Sequence, residues 1–189
     1  MNAKTPLAVG LAVASLVLGI AGSAQAGQPV VEQGDSAGDV KLLDNPSGLT
    51  LAEKQSIDIT RFSVTKRARA VRFSWTLAAV TSSTSFDQLL SVIFRGGGDE
   101  AWFMLLNVLP EDPRFTEAVY SPTVDGDDSV YCRPKATVQR TTVRVDVPLK
   151  CIPTEAGVMR VTSATGDYSD DDVEFSRDKL RVEGRPDLR

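Results

Sequence analysis

Apolar positions in this chain alternate more often than they recur at helical spacing. Val71, Phe73, Trp75 and Leu77 share one parity, while Arg72, Ser74 and Thr76 take the other. Successive strand side chains point to opposite faces, so Ala70 to Val80 is predicted as a half-buried strand with Trp75 on its core face. Ile57 to Thr65 is a second strand. Its apolar parity slips between Ile59 and Phe62, which predicts a bulge or twist. The polar run Lys66-Arg67-Ala68-Arg69 should join the two as an antiparallel hairpin.

A third alternating run lies between the only two cysteines, Cys132 and Cys151. Val143, Val145 and Val147 face one way, Arg144 and Asp146 the other. Pro148 cannot donate to a sheet ladder, so this strand should end there or lie at an edge.

Residues 86 to 95 admit two readings. Phe86, Leu89, Leu90, Ile93 and Phe94 fit helical spacing, with Ser85 and Gln88 as a capping box. The other reading takes Leu89 to Arg95 and Glu100 to Val108 as a hairpin around Gly96-Gly97-Gly98-Asp99. β-Branched neighbours and hairpin signals favour the strand. Trp102, Met104, Leu106 and Val108 then face one way, Phe103 and Leu105 the other, as in a central strand apolar on both faces. Further on, Phe115 to Tyr120, Val158 to Ser163, Val173 to Phe175 and Lys179 to Val182 are short strands. They are separated by the acidic loops Ser121 to Ser129 and Gly166 to Asp172.

Short strands at frequent turn signals, without long amphipathic helices, predict an all-β fold. The expected architecture is a single antiparallel β-sandwich, jelly-roll or Ig-like, with one disulfide. Residues 1–26 form a signal peptide, 27–56 a flexible N-terminal segment with at most a short strand near 40–43, 57–183 the sandwich and 184–189 a frayed tail.

The signal reading rests on Lys4, the apolar run Leu7 to Ile20 and the small-residue site Ala24-Gln25-Ala26, with cleavage after Ala26. No second apolar run is long enough to span a bilayer, so the mature chain is expected to be secreted and without a membrane span. Removing Lys4 leaves 20 Lys and Arg against 25 Asp and Glu, a net charge of −5. That acidity argues against nucleic acid as a partner. In an exported chain two cysteines allow one pairing, Cys132–Cys151, with a structural role.

Histidine is absent, which removes Ser-His-Asp and Cys-His catalysis and the commonest general base. Two cysteines 19 positions apart match no zinc spacing. Gly96-Gly97-Gly98 lacks the Lys-Ser/Thr of a phosphate loop and is expected to be a hairpin tip. Aspartates cluster in three places: Asp35 and Asp39; Asp125, Asp127 and Asp128; and Asp167, Asp170, Asp171 and Asp172. Calcium takes six to eight oxygens, and Asp35, Asp39, Asp167 and Asp170 could supply some, although EF-hand spacing is absent. Solvated turns, with Asp chosen for its turn chemistry, are the favoured reading of these clusters, and calcium is the alternative. No cofactor is expected, calcium being the one candidate.

Tyr120 and Tyr168 stand beside acidic loops. A ring next to carboxylates could hold a sugar, so Tyr120, Asp125, Asp127, Asp128 and Tyr168 form the candidate ligand site.

The stretches GDSAGD, IDITRFSV, RAVRFSWTL and VRVDVPLKCI, with a bias of 14 Arg to 7 Lys, resemble the uncharacterised secreted β-sandwich proteins of high-GC Gram-positive bacteria. The Asp-Gly loop followed by Asp58-Ile59-Thr60 is also similar to carbohydrate-binding and DOMON-like modules. That resemblance implies a non-catalytic, extracellular or envelope-associated binding module for a carbohydrate or protein ligand. Two rivals are a secreted protease inhibitor, with a loop at Val130-Tyr131 stiffened by the disulfide, and a hydrolase using carboxylates such as Asp127 and Asp128.

Overall fold

The alternating runs fold as two stacked antiparallel sheets. A computed structural model describes residues 27, 29–43, 48–80, 86–95, 101–108, 118–119, 131–132, 134–152, 158–167, 173–182 and 186–188. In chain order the strands are β1 (Pro29–Gly34), β2 (Lys41–Leu42), β3 (Ile59–Lys66), β4 (Ala70–Leu77), β5 (Asp87–Arg95) and β6 (Ala101–Val108). They continue with β7 (Ala118–Val119), β8 (Tyr131–Cys132), β9 (Lys135–Gln139), β10 (Thr142–Pro148), β11 (Val158–Asp167) and β12 (Val173–Arg181). One short helix, α1 (Leu51–Gln55), precedes β3. Sheet A runs β1-β3-β4-β10-β9, sheet B runs β2-β12-β11-β5-β6, and β7 pairs with β8 apart from both. Among the described residues no helix is long and apolar enough to cross a membrane.

The alternation places the core between the sheets. Phe62, Val64, Val71, Phe73, Trp75, Val143, Val145 and Val147 of sheet A and Leu90, Val92, Met159 and Val161 of sheet B are fully buried in one cluster. Phe73 of β4 meets Phe94 of β5 edge-on at 6.0 Å, and Phe62 meets Trp75 at 5.3 Å. The expected parity slip is a register shift in the β3–β4 ladder between Ile59 and Arg61. Residues 86–95 resolve as strand: Gln88, Leu90, Val92 and Phe94 are buried, and β5 pairs with β6 on one side and β11 on the other.

Several expectations need correction. The segment 27–56, read as flexible, contributes β1, β2 and α1. Strand β1 pairs with β3 at the edge of sheet A. Helix α1 carries a capping box, in which the Glu53 N–H donates to the Thr50 hydroxyl at 3.2 Å and the Thr50 N–H donates to the Glu53 carboxylate at 2.8 Å. Val173–Arg181 forms one strand where two were expected, because Ser176 and Asp178 face inward and interrupt the apolar pattern. The expected tail buries Leu188 in the core cluster, and Asp187 pairs with Lys66 at 3.2 Å.

The cysteine-bracketed stretch is a hairpin, β9–β10, where one strand was expected. Its two-residue turn holds Arg140 at a φ of 55°. Strand β10 does end at Pro148. Cys132 on β8 and Cys151, after β10, are buried and disulfide-bonded with Cα atoms 6.2 Å apart. The bond ties the β7–β8 ribbon to sheet A. Reducing it should lower stability by about 3 kcal/mol, as closure of a loop of this length predicts. Urea unfolding with and without reductant measures the difference; coincident curves would mean that the ribbon adds nothing to the fold.

Candidate functional site

Strand β1 lies in sheet A and β2 in sheet B, so residues 35–40 cross from one sheet to the other. The chain returns through α1 and Ser56–Asp58 to β3. Both crossings pass the same side of the sandwich, where β3 faces β12, and several polar side chains are buried there. Asp178 of β12 is 2% exposed and reaches across to sheet A, where its Oδ2 accepts the Ile59 N–H at 2.6 Å. Its Oδ1 accepts the Lys179 N–H at 2.6 Å. Asp58 is 5% exposed, and its Oδ2 accepts the Gly38 N–H at 2.7 Å, which pins the crossing loop. Gly38 has a φ of 86°, a conformation that a side chain strains. Asp35 folds its Oδ1 back onto the Ser36 N–H at 3.0 Å. Next to these, Gln88 Nε2 donates to Ser56 Oγ at 2.9 Å and to the Ala79 carbonyl at 3.1 Å.

This loop brings three carboxylates together. One oxygen each from Asp35, Asp39 and Asp178 lies within 4.8 Å of the other two. Two like charges at that spacing repel by about 3 kcal/mol at an effective dielectric of about 20. Burial, more than these neighbours, pushes the Asp178 carboxyl up to about 6, with Asp35 and Asp39 adding to the rise. Asp35 is raised by the same cause, with Asp39 and Asp58 contributing. Two buried oxygens here, Asp35 Oδ2 and Asp58 Oδ1, have no hydrogen-bond partner. Asp39 and Asp178 also line a cavity of about 380 Å³ together with Lys41, Leu43, Arg177 and Lys179. None of those three cations forms an ion pair with the cluster among the described residues.

Hard carboxylate oxygens on a crossing loop suit calcium or magnesium, not the softer metals that seek nitrogen and sulfur. Each of the three carboxylates offers one oxygen to a shared point, and their combined charge outweighs that of a divalent ion. An ion there would stand beside the buried, unpartnered oxygen of Asp35. The residues fit a hard divalent cation.

Of the residues expected to hold metal, Asp35 and Asp39 are in the cluster and Asp167 is not. Asp167 is exposed at the end of β11, opposite Val173, whereas Asp178 stands opposite Ser163. Four residues of strand separate the two levels, about 14 Å. Asp178 takes the place expected of Asp167. Asp170, and the candidate ligand residues Tyr120, Asp125, Asp127, Asp128 and Tyr168, lie outside the described residues.

Asp58 and Asp178 were not anticipated. The available signal was parity, since Asp178 falls in step with Leu180 and Val182, and an acid on an apolar parity requires a partner. Comparisons with protein-family models, with curated proteins and with solved structures return no match, so any functional reading of this chain rests on its own geometry.

Proposed function

We propose that the chain is a secreted, non-catalytic β-sandwich binding module that holds calcium at the Asp35–Asp39–Asp178 cluster, where the chain crosses between its sheets. The observation that carries the cation site is the convergence of three carboxylates beside two buried oxygens without partners. The signal-like first 26 residues and the buried disulfide support export. Calcium is favoured over magnesium because an exposed loop donor such as Asp39 suits flexible coordination better than a strict octahedron. Bound there, the ion fastens the crossing loop to β12 and β3 at once.

Titration calorimetry and melting of the exported, processed protein at neutral pH, in chelator and then across a calcium series, test this reading. The expected result is a saturable rise of the midpoint, worth about 2.7 kcal/mol at a calcium concentration one hundred times Kd. Asp39→Asn, on the exposed loop, should weaken the response without unfolding the chain, and Asp167→Asn should leave it intact. A midpoint and heat signal indifferent to calcium would remove the cation from this reading.

A further inference from the structure

The two sheets treat their outward charges differently. On sheet A, Arg61 pairs with Glu32, and Arg72 grips Asp146 with two hydrogen bonds of 2.7 and 2.5 Å. Arg67 stands 3.9 Å from the same Asp146. On sheet B, among the described residues, Arg177 pairs with Glu174. Arg160, Lys179 and Arg181 are exposed and form no ion pair among the described residues.

Register sets these cations in a pattern. Arg177, Lys179 and Arg181 alternate along β12, so they share its outer face at about 6.8 Å spacing. Arg160 of β11 stands directly opposite Arg181. Like charges directly opposed weaken a sheet, and this chain has acids in excess that could have faced them. Packing gives no reason for the pair. Next to the cations, Ser91 and Thr162 bond to each other through their hydroxyls, and Leu89 and Ile93 of β5 are half-buried. All of these line one open cavity of about 470 Å³ on the outer face of sheet B.

We infer that this face binds an acidic polysaccharide laid along β12. The inference rests on the reading of the chain as a binding module and does not depend on its cation site. Repeated carboxylates match the stripe of cations, and a guanidinium holds a carboxylate in two parallel hydrogen bonds. Sugar hydroxyls meet the Ser91–Thr162 row, and the C–H faces of the rings lie on Leu89 and Ile93. A polymer that offered only charge would leave the aliphatic half of the cavity unused.

Binding of the exported protein to polygalacturonate, dextran and polyphosphate, measured by calorimetry in chelator, tests the inference. Chelator prevents calcium from bridging the polymer to the aspartates, so failure here and failure of the cation site are separate results. Polygalacturonate should bind, more weakly as salt rises, and dextran should not. Arg160→Glu with Arg181→Glu should reduce affinity at least about tenfold, and Arg144→Gln, on β10 of the opposite sheet, should not reduce it. Arg160→Gln with Lys179→Gln serves as the neutral variant if the first pair misfolds. No binding of polygalacturonate, undiminished binding by the variants, or tighter binding of polyphosphate would each overturn the inference.

Discussion

Phe73→Ala is expected to cost about 3–5 kcal/mol, the range for removing a fully buried aromatic side chain. Phe73 is the ring through which the sheets meet. It touches Phe62 at 6.5 Å and Trp75 at 6.4 Å within sheet A, and Phe94 at 6.0 Å in sheet B. Its neighbours stand on strands held by ladders, so they can only partly close the space it would leave. Against a typical total stability of about 5–15 kcal/mol, the variant should sit near its unfolding threshold at room temperature. Phe73→Leu keeps most of the volume and should lose far less. Urea midpoints of the two variants decide the matter. A loss below about 1 kcal/mol for the alanine variant would mean that the sheets do not pack through this ring.

The second large effect is on pH. In chelator, Asp178 titrates near 6 when folded against 3.8 when unfolded. The folded state therefore holds its proton more tightly, and stability rises as pH falls through 6, reaching its full value below 3.8. The shift corresponds to a gain of about 2 kcal/mol by pH 4, approaching about 3 kcal/mol below the unfolded value. Asp35 is raised as well and adds to the gain. Asp146, held low by its hydrogen bonds with Arg72, works the other way but only at still lower pH. Asp178→Asn should flatten the profile by fixing the neutral form. Calcium should invert it, because a bound cation favours the ionised carboxylates and is released as they protonate. Melting midpoints of wild type and variant at neutral pH and near pH 4.5, each with chelator and with calcium, give all four arms. A wild-type midpoint in chelator that does not rise on acidification would show that the cluster is already compensated at neutral pH.

What could be foreseen from residues alone depended on how cleanly each strand separates its faces. Strands β3, β4 and β10 do so with Val, Ile and aromatic residues inward and Ser, Thr and Arg outward, and all three were legible. Strands β11 and β12 were partly hidden because Ser163, Thr165, Ser176 and Asp178 are buried polar residues inside the sandwich. The partners of Thr165 and Ser176 are tertiary: Ser176 Oγ meets Thr165 at 2.6 Å and donates to the Lys54 carbonyl at 2.8 Å. Strand β9 was missed for a local reason. Its turn, Arg140-Thr141, contains none of the Gly, Asn or Asp that advertises a hairpin. Helix α1 has a signal in Thr50 and Glu53 at capping-box spacing, but its five residues are too few to show an apolar stripe. In the carboxylate cluster, Asp35 and Asp39 were legible from their loop. Asp178 was not, since only the meeting of β12 with the crossing loop places it there.

The crossing loop has one more task. Strand β12 has nine residues, but β2 covers only Ser176 and Arg177 of its outer edge. The Leu43 N–H bonds to the Phe175 carbonyl at one end, and Gln33 Nε2 caps the Arg181 carbonyl at the other. Between those two caps, Asp39 of the crossing loop lines one cavity with Asp178 and Lys179, so the loop stands against this part of the rim. If carboxylate repulsion lifts the loop, that rim becomes a template on which another chain can add a strand. The aspartates would then govern whether the protein stays monomeric or polymerises edge to edge, and chelator at neutral pH is the condition under which such fibres should first appear.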